Sequence, residues 1–169
     1  QDQFTSSIKY GDHIYATVTS GSLSKDKSVL APYLLKYDLK GNFISKHDLN
    51  IQGFVAPSII GINEDKIYID GYSYSYRYMT PMVGSFDIER ETFEVLIDDI
   101  NFRKHNKVNG RLITGDTLYL IVESDHIWEE SSEPSNFYRL IKYDLLTKRK
   151  SVYEFPFDKS ARQFIYKNL

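Results

Sequence analysis

One phrase is written three times in this chain, and that repetition limits the folds open to it more than any other feature. Leu35-Lys36-Tyr37-Asp38-Leu39-Lys40-Gly41-Asn42-Phe43-Ile44 returns as Gly84-Ser85-Phe86-Asp87-Ile88 running to Phe93, and again as Ile141-Lys142-Tyr143-Asp144-Leu145-Leu146-Thr147 running to Val152. Each copy is an alternating apolar run that closes on aromatic, Asp, aliphatic, then makes a short polar turn and enters a second alternating run, which is how an antiparallel hairpin reads. A second anchor precedes each hairpin: Asp12-His13-Ile14-Tyr15-Ala16, Asp65-Lys66-Ile67-Tyr68-Ile69 and Asp116-Thr117-Leu118-Tyr119-Leu120. These follow turn signals at Gly11, Asn63-Glu64 and Gly115, which in turn follow apolar stretches around Ile8, Ile59 to Ile62, and Leu112-Ile113. The sequence therefore predicts four strands per repeat, here A, B, C and D, and an all-β chain.

Spacing separates the rigid part of the repeat from the variable part. From a strand C aromatic to the next strand B tyrosine the chain takes 31 residues (Tyr37 to Tyr68) and then 33 (Phe86 to Tyr119). From strand B to strand C within a repeat it takes 22 (Tyr15 to Tyr37), 18 (Tyr68 to Phe86) and 24 (Tyr119 to Tyr143). The B to C connection is where length varies. The 14 tyrosines and 10 phenylalanines suit a pleated, half-buried surface.

A period near 50 with four short strands per unit resembles the blades of a six-bladed β-propeller of the broad TolB-like, NHL-like and YWTD-like kind. Tyr37-Asp38-Leu39-Lys40-Gly41-Asn42-Phe43-Ile44 is similar to the outer hairpin of NHL-type repeats, and Lys66-Ile67-Tyr68-Ile69-Asp70 is loosely similar to a YWTD strand without its Trp and Thr. The resemblance implies a propeller segment over 1–169, with blades at about 4–49, 57–98 and 109–155 and the start of a further blade at 156–169. It also implies a periplasmic, secreted or cell-surface location. Three blades do not close a ring, so the remaining partners would be further blades of the same polypeptide or a second copy.

In a meandering four-stranded unit the A to B and C to D turns lie at one end, and the B to C and D to A connections at the other. The A to B turns are tight at Gly11, Asn63 to Asp65 and Thr114-Gly115, as are the C to D turns at Lys40-Gly41, Glu89 to Thr92 and Leu146 to Arg149. The B to C connections are expected to be long in all three repeats, spanning Ser20 to Pro32, Ser73 to Pro81 and Ser124 to Asn136. Elaboration on one side of a rigid scaffold is where binding usually resides.

On that side, Tyr72, Tyr74, Tyr76 and Tyr78 recur at every second residue and would share one side of an extended segment, with Ser73, Ser75 and Arg77 on the other. Such a row either stacks on sugar rings or contacts a protein, or its lower rings pack between neighbouring blades. The third connection carries His126, Trp128 and the acids Asp125, Glu129, Glu130 and Glu133. Trp128 either folds back onto the blade or stands out as an anchor. The acids lack the glycine-bearing spacing of a calcium loop and read as solvated, so no metal and no cofactor is expected. Asp38, Asp87 and Asp144, each before a tight turn, are expected to bond the turn backbone rather than to catalyse.

A propeller enzyme works at its central axis, where this chain offers Ser58, His105, Asn106, Asn109 and Arg111 but hardly any carboxylates. Nucleophile-elbow and phosphate-loop signatures are absent, so no catalytic residue is assigned. The net charge of -2 supplies no basic field for nucleic acid, and no apolar run approaches the roughly 18 residues of a membrane-inserted helix. The sequence thus points to a non-catalytic module that binds a protein, peptide or glycan through Tyr74, Tyr76, Tyr78, His126 and Trp128. Its rival is a hydrolase- or lyase-type propeller whose axial site is completed elsewhere.

Overall fold

The computed structural model describes residues 2–20, 31–49, 54–75, 78–98, 105–125 and 137–156. Among them it contains twelve strands and no helix, arranged as three four-stranded antiparallel sheets. Sheet I is β1 (Gln3–Tyr10), β2 (His13–Ser20), β3 (Ala31–Asp38) and β4 (Phe43–Asp48). Sheet II is β5 (Phe54–Asn63), β6 (Lys66–Ser75), β7 (Tyr78–Asp87) and β8 (Thr92–Ile97), and sheet III is β9 (His105–Thr114), β10 (Thr117–Asp125), β11 (Phe137–Asp144) and β12 (Lys150–Pro156). Each is a meander in which every strand pairs with its sequence neighbour. The chain divides into two compact units, Gln1–Asn101 with sheets I and II, and Phe102–Leu169 with sheet III.

The repeated aspartates cap the C to D turns, as their position before a polar turn predicts. Asp38 Oδ1 accepts the N–H groups of Lys40 (2.9 Å) and Asn42 (2.8 Å), Asp87 Oδ1 those of Glu89 (3.1 Å) and Arg90 (2.9 Å), and Asp144 Oδ1 those of Leu146 (3.1 Å) and Thr147 (2.7 Å). The donors hold the Asp38 carboxyl below the usual range, chiefly the Asn42 side chain and backbone. The Asp144 carboxyl is lowered chiefly by the Thr147 N–H and hydroxyl. Each turn also holds one residue in the left-handed region: Gly41 (φ 85), Glu91 (φ 53) or Lys148 (φ 56).

The expected long connection at Ser73 to Pro81 is not observed. β6 continues to Ser75 and β7 starts at Tyr78, with Tyr72 opposite Pro81 and Ser75 opposite Tyr78, so residues 76–77 alone join them. The tyrosine and serine alternation that suggested a loop is itself a strand pattern, and it extends the ladder. The first and third connections, 21–30 and 126–136, keep the expected placement between their strands and lie outside the described residues.

Each sheet has two faces set by register. One, here the leading face, carries Ile14, Ala16, Leu35, Tyr37 and Phe43 in sheet I and Ile67, Ile69, Gly84, Phe86 and Phe93 in sheet II. The trailing face of sheet I carries Ile8, Tyr15, Leu34 and His47. Within the first unit these two kinds of face meet: Tyr15, Leu34, Leu49, Phe54, Ile67, Ile69, Met82 and Phe86 form one buried cluster, with Ile8, Tyr10, Ile62 and Phe93 packed against it. The leading face of sheet II therefore stacks on the trailing face of sheet I. The His47 ring lies 5.0 Å from the Phe86 ring, with its Nε2 3.8 Å from Glu91. Leu34, Ile67 and Ile69 are fully buried, each worth about 1.5–3 kcal/mol of transfer free energy.

Two glycines let this stack close. A Cβ on Gly84 would come within 2.2 Å of the Phe93 ring, and one on Gly71 within 2.4 Å of the Phe54 ring, so both rings lie directly over bare backbone.

Candidate functional site

Within each sheet the A to B and C to D reversals fall at one end and the B to C connection at the other. Towards that second end, the A strands share a device that sequence reading missed. In each sheet the register between A and B slips at the same level, giving a β-bulge. Thr5 is the extra residue between Phe4 and Ser6, opposite Val18 and Thr17. Ala56-Pro57 lies between Val55 and Ser58, opposite Tyr72 and Asp70. Asn109 lies between Val108 and Gly110, opposite Val122 and Ile121. Pro57 marks its bulge in the sequence, since proline sits in sheets at bulges or edges, but Thr5 and Asn109 carry no such signal.

A bulge re-aims side chains and leaves backbone groups without ladder partners. Within the first unit those groups are met from the neighbouring sheet. The Thr5 hydroxyl donates to the Pro57 carbonyl, and the Ile59 N–H donates 2.7 Å to Ser6 Oγ. Thr17, fully buried, joins the cluster with its Oγ1 2.9 Å from Thr5 Oγ1 and 2.7 Å from Ser6 Oγ. Ser58, an axial candidate, pairs with the buried Asp70 of β6.

In sheet III the bulge displays Asn109, whose amide donates to Glu123 Oε2 at 2.5 Å. The register sets His105 opposite Asp125 and Asn106 opposite Ser124 on the same strand pair. Carboxylates missing from the A strand are thus supplied by the B strand beside it. The expected axial set was read from the A strands alone, without their register partners on the B strands. Arg111 lies below the bulge, exposed and paired with Leu120, and is separated from this group along the strand. Among the described residues no group of three or more His, Cys, Asp or Glu side chains is placed to hold a metal ion.

The candidates at the B to C end are distributed as follows. Tyr74 is in β6 opposite Met79, and Tyr78 is in β7 opposite Ser75. The chain reverses between them, so the four tyrosines do not form one extended row. Tyr76, His126 and Trp128 lie outside the described residues. Tyr72, which the notion of an exposed row placed with them, is half-buried and opposite Val55 and Pro81.

The sequence matches no protein-family model and no curated protein.

Proposed function

We propose that this chain is a segment of a six-bladed β-propeller that works outside the cytoplasm as a binding module, recognising a protein, peptide or glycan through the end that carries its B to C connections. The observation that carries this reading is the asymmetry between the two ends. At one end the reversals are tight, and the C to D turns are each capped by an aspartate. At the other, strand bounds leave residues 21–30 and 126–136 as additions to the meander. The support is architectural: three meanders of one register, two of them stacked leading face on trailing face, are the arrangement blades adopt. The binding residues are Tyr74, Tyr76, Tyr78, His126 and Trp128, whose rings combine apolar area with a polar handle.

Replacing Tyr76, Tyr78 and Trp128 together by Ala tests it in a glycan array and a pull-down, with thermal unfolding in parallel. The proposal expects loss of binding at a stability cost under about 1 kcal/mol for each residue. Retained binding, or a large fall in melting temperature for Tyr76→Ala alone, contradicts it.

One observation favours the rival hydrolase or lyase reading: a bulged Asn109 bonded to Glu123, with His105 and Asp125 in register beside it. An imidazole and carboxylates on adjoining strands are the materials of acid and base catalysis. Turnover of polysaccharide or ester substrates that is lost in His105→Ala and Glu123→Gln would favour it. The binding reading expects none.

A further inference from the structure

The register of sheet I gathers several chemistry-bearing side chains at its seam with sheet II. Ser45 and His47 are two residues apart on β4, so both project from the same face. Lys36 stands opposite Ser45, Leu34 opposite His47 and Tyr15 opposite Lys36, which puts Ser45, His47 and Lys36 together on the trailing face. From sheet II the C to D turn brings Glu91 to the same place. All four belong to the first compact unit.

We propose that Ser45 is a nucleophile activated by His47, and that it takes an acyl group from an activated ester. Ser45 Oγ lies 2.8 Å from His47 Nε2, within the reach a base needs to remove a hydroxyl proton. With the ring proton on Nδ1, the hydroxyl donates and Nε2 accepts. The ring is 11 % exposed and its centroid lies 5.0 Å from that of Phe86, so the base is already oriented when an ester arrives. Glu91 Oε1 lies 3.8 Å from the same Nε2, which puts a negative charge beside the nitrogen that becomes positive on taking the proton. The Lys36 ammonium, 5.8 Å from the Tyr15 ring centroid, adds to this face the positive charge that a developing oxyanion requires. Ser45 is half-buried and Glu91 exposed, so the group opens to solvent. The other hydroxyls of this seam differ: Thr5, Ser6 and Thr17 bond to one another, and Thr5 also to the Pro57 carbonyl, with no base among them.

In the transfer, Ser45 Oγ attacks the ester carbonyl carbon as its proton passes to Nε2. The bond from that carbon to the leaving oxygen then breaks, and His47 gives the proton to the departing alcohol. The products are acyl-Ser45 and one alcohol, and nothing is oxidised or reduced. Acylation of this kind is one transfer per chain and uses neither His105 nor Glu123, so its outcome is separable from both readings of the B to C end.

A biotin-tagged fluorophosphonate is the probe, because it reacts with such a serine by the same steps: a P–O bond to Ser45 forms, the P–F bond breaks and the hydroxyl proton passes to His47. The folded wild-type chain is expected to take one tag, mapped to Ser45 by peptide mass spectrometry, and Ser45→Ala to take none. His47→Gln should label about a hundredfold more slowly, the size of a positioned base's contribution, and Glu91→Gln about two- to fivefold more slowly. Wild type unfolded in urea should not label. A folded wild-type chain that stays unlabelled overturns the proposal, as does a tag on another residue or a folded His47→Gln that labels at the wild-type rate. Because His47 lies against Phe86, circular dichroism is recorded for every variant. If His47→Gln does not fold, the exposed Glu91→Gln and the urea comparison decide, and an unchanged rate in either counts against the pair.

Discussion

At the residue scale, the chain makes the same turn three times with different chemistry, and the differences are testable. Asp38 and Asp144 bind turn N–H groups as carboxylates and have lowered folded-state pKa values, so their contribution is complete above the ordinary value of 3.8 and is lost as pH falls through the folded value. Asp38→Asn and Asp144→Asn should therefore lower the melting temperature at pH 6 and converge with wild type below about pH 4. A difference that does not shrink as pH falls below the ordinary value of 3.8 would assign the effect to something other than ionisation. Tyr10 runs the opposite way. Its hydroxyl donates to the Asp65 carboxylate, which, with burial and nearby negative charge, raises its pKa above 10.0. The bond between sheets I and II is present below pH 10 and lost as pH rises through that raised value, so Tyr10→Phe should abolish the alkaline part of the unfolding profile. Lys148 occupies the left-handed region with a full side chain. Lys148→Gly should add about 0.5–1 kcal/mol in denaturant unfolding, the steric relief exceeding the added unfolded-state entropy.

At the scale of the element, the close approach of rings to backbone makes sheet II unusually intolerant. Gly84→Ala should cost about 1–3 kcal/mol, because the new methyl meets the Phe93 ring and the Glu94 carbonyl and neither can retreat without opening the ladder. A neutral result in urea unfolding would mean that Phe93 does not lie on β7 as described. Ser6→Ala should cost about 1–3 kcal/mol by stripping the Ile59 N–H of its acceptor beside the bulge. These elements differ in how far the sequence announced them. Aromatic-Asp-aliphatic before a polar turn was legible three times over because the aspartate has a local job, bonding N–H groups two to four residues on, and local jobs leave local signatures. The bulges were not, since a register slip is a property of two strands, and only Pro57 is a residue that an unbulged central strand refuses. The Tyr72 to Tyr78 stretch misled for a related reason. Alternation says that a segment is extended but not where it reverses, and no Gly or Asn marks residues 76–77. For the candidate site, His105 and Asn109 were legible as polar residues on an apolar strand. Glu123 and Asp125 became partners only through pairing with the neighbouring strand.

At the scale of the whole molecule, the claim is that one sheet unit repeats and that its two faces are made for each other. The period, the four strands and the meander order were all legible in the chain because every repeat spells out the same alternation. Which face stacks on which became visible only when Ile67, Ile69 and Phe86 were found beside Tyr15 and Leu34. The spacing of Asp125, Glu129, Glu130 and Glu133 lacks the glycine-bearing pattern of a calcium loop. Calcium titrated against a chelator control should therefore leave the melting temperature unmoved, and a saturable rise of several degrees would make them a site. The most direct test of the repeat as a propeller is electron microscopy of the assembled particle viewed end on. Six sheets arranged radially about a central axis, with their B to C ends on one side, are the predicted result, and an open linear stack of sheets, or three sheets with no common axis, would contradict it.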